Sequence, residues 1–199
     1  WGATRTVTTA ADTILSGNVS GGGLVKEGAA SLRIGGNTTL SGTVTVNAGM
    51  LVVASGGSLG AAGVVVAPGA TLSVAGLAQT FGGSLAIDGT LTGDGLVEGD
   101  TTIGGLHAPG GAAAGTQTFS HDLFYQQTGV SLPKVDWRLE ANSAVSSGGT
   151  SFDQIVVQNN LFFGVRTDVN MKFDAQGSTV NWNDPYWSQD RAFVMYDVA

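Results

Sequence analysis

Residues 24–93 read LVKEGAASLRIGGNTTLSGTVTVNAGMLVVASGGSLGAAGVVVAPGATLSVAGLAQTFGGSLAIDGTLTG, and four glycines divide them into similar units. These glycines, spaced by 21, 20 and 20 residues, are Gly28, Gly49, Gly69 and Gly89. A short apolar segment precedes each glycine and another follows it, and apolar and polar residues alternate within both. Alternation with period two is typical of β-strands, and a repeat of about 20 residues is typical of solenoids. The stretch therefore predicts a parallel β-helix.

Equivalent side chains of successive coils stack on one another in such a fold, at the ordinary strand spacing of roughly 4.8 Å. Each coil can bury its apolar face only against its neighbours, so the stacked positions must be apolar. The column predicted to face inward consists of Val25, Val46, Val66 and Ile87. The four repeat glycines are expected at the corners, where the chain turns tightly and must tolerate positive φ.

The composition of the whole chain agrees with a packed solenoid and excludes some functions. Its 199 residues include 32 glycines, yet 42% are hydrophobic and 12% charged, which is unlike a disordered Gly-rich chain. The formal net charge of −7, with only eight Lys and Arg residues, argues against a nucleic-acid partner. Cysteine is absent, which excludes disulfide bonds and thiolate metal sites.

The composition changes in the C-terminal part of the chain. Of the 15 aromatic residues, 13 lie at or after Phe119. We predict two regions, Gly-rich coils over residues 1–118 and an aromatic-rich continuation with a C-terminal cap over residues 119–199. Large rings fill a wider coil than Val and Gly do, and a solenoid needs a covered end. The aromatic residues predicted to be in the core are Trp137, Phe162 and Phe193.

Two segments resemble a known family. Residues 38–53 read TTLSGTVTVNAGMLVV, which resembles the passenger-associated transport repeat of bacterial autotransporters. Residues 149–157, GTSFDQIVV, resemble a segment common near the end of such passengers. The resemblance implies an extracellular right-handed β-helix stalk, followed in the full-length chain by an outer-membrane β-barrel translocator. It also implies a location at the bacterial cell surface, either attached to the outer membrane or secreted. The chain departs from the repeat at Pro68 and at the short coil around Leu91.

Residues with catalytic potential are few. Ser120, His121 and Asp122 carry the side chains of a hydrolytic triad, but neighbours on a strand are expected to point to opposite faces. His107 and His121 lack partners at metal-binding spacing, so both are predicted to be polar surface residues. The sequence therefore predicts no catalytic residue, no metal ligand and no cofactor.

Acidic residues are densest over residues 88–100, where a calcium site is the alternative to a solvated corner. The residues concerned are Asp88, Asp94, Glu98 and Asp100. The Gly-Gly-x-Gly-x-Asp repeat of calcium-binding β-rolls does not recur in this stretch, so we favour the solvated corner.

Many right-handed β-helices are polysaccharide lyases or hydrolases, which need paired carboxylates or a proton-abstracting base on an exposed face. The regular strands offer Arg33 there, with small uncharged residues at the stacked positions. Near the C terminus, three carboxylates accompany three aromatic rings, as in a sugar-stacking platform. These residues are Asp174, Asp184, Asp190, Trp182, Tyr186 and Trp187. An aromatic end cap with aspartates in its turns is the favoured interpretation.

The function predicted from these observations is a non-enzymatic structural stalk that also acts as a folding template, forming the C-terminal part of an autotransporter passenger. One alternative is an adhesin that binds host or neighbouring-cell ligands through the solenoid face. The other is a carbohydrate-active β-helix enzyme. A broad exposed apolar patch favours the adhesin, and a groove with convergent carboxylates favours the enzyme.

Overall fold

The computed structural model describes residues 2–129, 131–140, 148–175 and 178–199. They form a parallel β-solenoid with coils of about 20 residues, as predicted. Each turn contributes one strand to each of three faces, and about six turns lie between the first and the last. Strands of successive turns pair in parallel on every face, so the chain winds around one apolar interior.

The strands fall into three stacks, which we call the first, second and third faces. The first face contains β1 (Arg5–Thr8), β4 (Leu24–Glu27), β7 (Thr43–Val46), β10 (Gly63–Val66), the second half of β12 (Leu77–Ile87), the second half of β14 (Leu96–Ile103), β17 (Leu123–Tyr125) and β20 (Leu161–Phe163). The second face contains β2 (Thr13–Leu15), β5 (Ser31–Ile34), β8 (Met50–Val53), β11 (Thr71–Val74), β13 (Thr90–Gly93), β15 (Leu106–Pro109), β18 (Lys134–Leu139) and β21 (Asp168–Ala175). The third face contains β3 (Val19–Gly21), β6 (Asn37–Leu40), β9 (Ser58–Ala61), the first halves of β12 and β14, β16 (Thr116–Phe119), β19 (Gln154–Val157) and β23 (Tyr196–Val198). β22 (Ser178–Thr179) pairs antiparallel with the end of β21.

The apolar interior consists of columns of stacked side chains. On the first face, Val46, Val66 and Ile87 stack in register and have no exposed surface. The column continues with Ile103 and Tyr125, which are also fully buried. Alternate residues on the same strands point outward, so the period of two in the sequence corresponds directly to the two sides of the sheet.

The prediction for Val25 is wrong. The backbone register pairs Lys26, and not Val25, with Val46, so Lys26 faces the interior and Val25 is half-buried on the outer side. The cause is the length of the corners. Four residues separate Lys26 from β5, whereas three separate Val46 from β8, and aligning the repeat on its glycines hides this difference. A shift of one residue moves a side chain to the opposite face of the sheet.

The repeat glycines lie at the corner between the first and second faces. Gly28, Gly49 and Gly69 have φ of 82°, 67° and 82°, the left-handed region that favours glycine. Gly89 does not have a positive φ of this kind, but a Cβ atom there would lie 2.2 Å from the carbonyl oxygen of Ala70. Glycine is thus required at position 89 because the backbone of the preceding coil is so close.

Lys26 is fully buried among apolar columns, and its ammonium group is held by the backbone. Its Nζ donates to the carbonyl oxygens of Glu27, Gly28 and Ala48 at 2.9, 2.8 and 2.9 Å. All three donors of the ammonium are therefore satisfied, as a buried charge requires. Burial lowers the pKa of Lys26, and the neighbouring carboxylate of Glu27 partly opposes this effect.

We expect Lys26→Met to lower the free energy of unfolding by about 2 kcal/mol, because three carbonyl oxygens lose their donor while the packed methylene stem is kept. Lys26→Ala should cost more, since the stem is lost as well. Urea unfolding monitored by circular dichroism measures both variants. Equal stability of Lys26→Met and the wild type would show that the carbonyls do not need the ammonium group.

The aromatic residues predicted to be in the core have three different environments. Trp137 is 2% exposed and lies within the interior. Phe193 is half-buried and packs against the core. Phe162 is 43% exposed, so the core prediction for it is wrong: it points outward from β20 and stacks on Phe124. The inward residue of β20 is Phe163, which stacks on Tyr125.

Parallel pairing continues across residue 119. β16 pairs with β14 on one side and with β19 on the other, and β17 pairs with β14 in the same way.

The described residues contain no helix with the length and apolar character needed to cross a membrane.

Candidate functional site

A cluster of aromatic side chains lies near the C-terminal end of the solenoid. Neighbouring rings are in contact from Trp137 through Phe193, Trp187 and Trp182 to Phe173, with centroid separations of 4.9–6.3 Å. The rings are tilted or perpendicular to one another, which is the geometry that aromatic pairs favour. Phe173, the last ring of this series, is connected back to β18 by sheet pairing, because it lies opposite Leu139 in the register.

The rings enclose a cleft of about 360 Å³, which we call the end cleft. It is lined by Trp137, Leu139, Met171, Phe173, Trp182, Trp187, Phe193 and Met195. Its floor is formed by the inward residues of β18, which are almost fully covered, whereas Met171, Phe173 and Trp182 in the walls are about half exposed. The end cleft is therefore open to solvent and lined by side chains without a formal charge.

The wall that contains the two tryptophans is held by local hydrogen bonds. A 3₁₀ helix, Pro185–Ser188, begins after Asp184, whose carboxylate accepts a hydrogen bond from the backbone N–H of Tyr186 at 2.8 Å. Arg191 donates from Nε to the carbonyl oxygen of Tyr186, and its guanidinium lies 3.9 Å from the centre of the Tyr186 ring. Proline at the first helical position and aspartate before it are favourable helix-start residues.

The carboxylates considered for a sugar-stacking platform do not line the end cleft. Asp184 is used as the helix cap, and Asp190 is exposed away from the cleft lining. The side chain of Asp174 lies outside the described residues. Trp182 and Trp187 do line the cleft, while Tyr186 packs behind Trp187 with the rings nearly perpendicular. The aromatic half of the predicted platform is thus present without its carboxylates.

A second, polar groove of about 430 Å³ runs along the outer side of β18 and β21. It contains two carboxylates, Asp136 and Asp168, which have partners. Asp136 pairs with Lys172 at 2.6 Å and accepts a hydrogen bond from Asn170, and Asp168 pairs with Arg166 at 3.0 Å. Exposed pairs of this kind contribute little to stability and provide no uncompensated carboxylate to act as a base.

His107 is fully buried, so the prediction of a surface histidine is wrong. It lies on β15 at an inward position, stacked between Leu91 and Val135. Its Nδ1 is 2.6 Å from the hydroxyl of Tyr125, and its Nε2 is 2.8 Å from Oε1 of Gln117. Because an amide oxygen only accepts, Nε2 carries the proton, and Nδ1 accepts from the tyrosine hydroxyl.

This buried polar network favours neutral groups. Burial lowers the pKa of His107 to about 4, although the hydrogen bond to Gln117 opposes the shift. Burial likewise raises the pKa of Tyr125. At the edges of the network, Nε2 of Gln117 is covered and has no hydrogen bond in the described part of the chain, and the covered side chain of Tyr196 interacts with Tyr125. The network is suited to structural packing and not to proton transfer with solvent.

We expect acid to destabilise the wild type relative to His107→Gln. The folded-state pKa of about 4 lies below the unfolded value of 6.5, so the unfolded chain binds the proton first and stability falls between pH 6.5 and pH 4. The loss amounts to about 3 kcal/mol. Urea unfolding of both proteins at pH 7 and pH 4 measures it. A difference in stability between the two proteins that does not change with pH would contradict a buried neutral His107.

The titration of Asp153 changes the stability in the opposite direction to that of His107. The wild type must therefore be compared with a variant. Its carboxylate accepts backbone hydrogen bonds from Gly115 and Arg138 at 3.0 and 2.9 Å. Burial nevertheless raises its pKa to about 6. A raised folded-state pKa means that stability increases as pH falls from 6 towards 3.8. Since both proteins carry Asp153, its contribution cancels in the difference between them.

The Ser120–Asp122 segment has a geometry that differs from the prediction. The Ser120 hydroxyl lies 2.9 Å from Nδ1 of His121, so the two side chains do not point to opposite faces. The reason is that β16 ends at Phe119 and these residues form the turn that follows. Asp122 accepts hydrogen bonds from the backbone N–H and side-chain amide of Asn160. The aspartate therefore braces the next coil, and His121 is exposed.

Of the four residues at the acidic corner, Asp88 and Glu98 form side-chain hydrogen bonds, whereas Asp94 and Asp100 are exposed. Asp88 accepts from the hydroxyl of Thr128, and Glu98 accepts from the amide of Gln79. Across the described ranges, no group of three or more His, Cys, Asp or Glu side chains has the arrangement that a metal ion needs.

The sequence pattern missed several residues that shape this region. Met171, Phe173 and Met195 line the end cleft, but nothing in their spacing distinguishes them from ordinary strand residues.

For Lys26 on β4, the sequence did contain a signal of its unusual position. A lysine in an otherwise apolar alternation marks either an outward residue or a register shift.

No known protein family, curated protein or solved structure matches the chain.

Proposed function

We propose that this chain is a structural stalk and folding template from the C-terminal part of a bacterial autotransporter passenger. The observation that carries the proposal is the unbroken parallel stacking of the first face, from β1 to β20. Eight strands on that face span roughly 34 Å at ordinary strand spacing. A rod of this kind, together with the two segments that resemble autotransporter passengers, suits the task of holding an upstream region away from a surface.

The partner in this proposal is an outer-membrane translocator in the same full-length chain, and the location is the cell surface or its surroundings. The net charge of −7 supports the absence of a nucleic-acid partner. We further propose that the segment is not an enzyme. Support comes from the ion pairs of Asp136 and Asp168, from the capping role of Asp184 and from the turn geometry around Asp122.

A display experiment tests the proposal. A folded reporter domain is fused before Trp1, and an autotransporter translocator is fused after Ala199. We expect protease-resistant reporter at the cell surface with the wild-type segment and much less with Trp137→Ala, whose core is damaged. Phe162→Ala, which removes an exposed ring, is the matched control and should display normally. Equal display from all three, and from a fusion lacking the segment, would contradict a template role.

An adhesin is the second candidate, and exposed apolar side chains favour it. Phe124 and Phe162 form a stacked pair on the outer side of the first face, with ring centroids 4.7 Å apart. Phe163, Met171 and Phe173 are about half exposed at the C-terminal end of the solenoid. Loss of cell binding in Phe162→Ala would favour the adhesin.

Screening for activity on pectins, glucans and glycosaminoglycans tests the non-enzymatic assignment. Reducing-sugar and double-bond assays should show no specific turnover. Turnover that disappears in Asp184→Asn or Asp190→Asn would establish a carbohydrate-active enzyme instead.

A further inference from the structure

The end cleft has the size and lining of a small-molecule site, a property that the stalk proposal neither uses nor requires. Its volume of about 360 Å³ lies within the range of roughly 300–1,000 Å³ that is usual for ligand pockets. Its walls belong to different parts of the fold, with β18 and β21 on one side and the segment after Asn181 on the other. Such a cleft between elements is a usual location for a ligand.

The lining restricts the chemistry of the ligand. All eight lining side chains are aromatic, aliphatic or thioether groups, so a charged ligand would lose its hydration without compensation. A sugar would need carboxylates or amides beside the rings, and Asp184 is occupied as a helix cap. Trp182 meets Phe173 at 71° and Trp187 at 51°, which leaves ring faces and edges directed at different angles. An aromatic guest can make offset and edge-to-face contacts with such rings.

Two methionines make the lining adaptable. Met171 and Met195 carry flexible, polarisable side chains that adapt to the shape of a guest. The indole Nε1 of Trp187 is covered from solvent, so a guest in the open cleft contacts the ring and not the N–H.

We propose that the end cleft binds an uncharged small molecule that carries an aromatic ring system. The rings of Phe173, Trp182 and Trp187 hold this ring system. The covered side chains of Trp137 and Leu139 form the base of the site.

The probe for this proposal is N-phenyl-1-naphthylamine, an uncharged aromatic amine whose fluorescence increases in apolar sites. Titration of the 199-residue chain should show one saturable site with simultaneous quenching of tryptophan fluorescence. Trp182→Ala and Phe173→Ala, both at half-exposed positions, should weaken binding at least tenfold. Met171→Trp should also weaken it, because the larger side chain fills the cleft. Phe162→Ala is the matched control, an exposed ring outside the cleft, and should bind like the wild type.

Three results would overturn the proposal. One is the absence of saturable binding, which would mean that the cleft is too small or is filled by the chain itself. Another is equal weakening by Phe162→Ala, which would show adsorption to exposed rings in general. The third is stronger displacement of the probe by dodecanoate than by uncharged aromatic competitors such as 1-naphthol, which would assign the cleft to acyl chains. Circular dichroism of each variant confirms that the solenoid is intact.

Discussion

Trp137→Ala should lower the free energy of unfolding by about 3–5 kcal/mol, the usual cost of removing a large ring from a packed core. Trp137 is 2% exposed and contacts the rings of Phe152 and Phe193. Its Nε1 donates to the carbonyl oxygen of Asp153 at 2.6 Å, so the substitution also leaves a buried acceptor without its donor. The damage affects β18, β19 and the C-terminal segment together.

Two further variants separate the causes of this loss. Trp137→Phe keeps an aromatic ring but cannot donate to Asp153, and it should cost about 1–3 kcal/mol. Phe162→Ala removes a ring that is 43% exposed and should cost less than either. Urea unfolding followed by circular dichroism measures all three. A loss below about 1 kcal/mol for Trp137→Ala would mean that this part of the interior is loosely packed.

The parallel stacking could be predicted from the sequence because it depends on a repeated local pattern. Corner glycines and alternating apolar residues determine where each strand begins and which side of it is buried. The exact register of the residues within a coil was less predictable than the stacking. Gly28 and Gly49 occupy different places in corners of four and three residues, and that difference exchanges Val25 for Lys26 in the interior.

A run of apolar residues gives no information on which of them face inward. Leu161, Phe162 and Phe163 are all apolar, so the sequence alone does not establish the direction of each side chain. The register assigns the inward position to Phe163, because it pairs with the buried Tyr125. For Phe162, the middle residue, only the pairing with the neighbouring coil determines which way the side chain points.

The buried histidine and the end cleft depend on contacts that are distant in sequence. His107 is buried because Gln117 and Tyr125, from two other faces, converge on its ring nitrogens. The end cleft similarly unites residues from positions 137 to 195. Composition indicated an aromatic C-terminal region, but the relative placement of the rings is a result of three-dimensional packing.

The second large effect concerns the order of folding. Coils before residue 116 are built largely from small and aliphatic side chains, and each depends on a stable neighbour. Coils after it contain Phe119, Tyr125, Trp137 and Phe152, all buried. Burying a large apolar side chain contributes roughly 1.5–3 kcal/mol. We therefore expect residues 116–199 to be the more stable part and to fold without the rest.

The template role is tested most directly by comparing residues 1–115 with residues 116–199 in urea unfolding experiments. The proposal predicts a cooperative transition for residues 116–199 and none for residues 1–115. It also predicts that the folded C-terminal part speeds the folding of the N-terminal coils when both are in one chain. The opposite result, cooperative folding of residues 1–115 while residues 116–199 remain unfolded, would place the template at the N-terminal end and contradict the account.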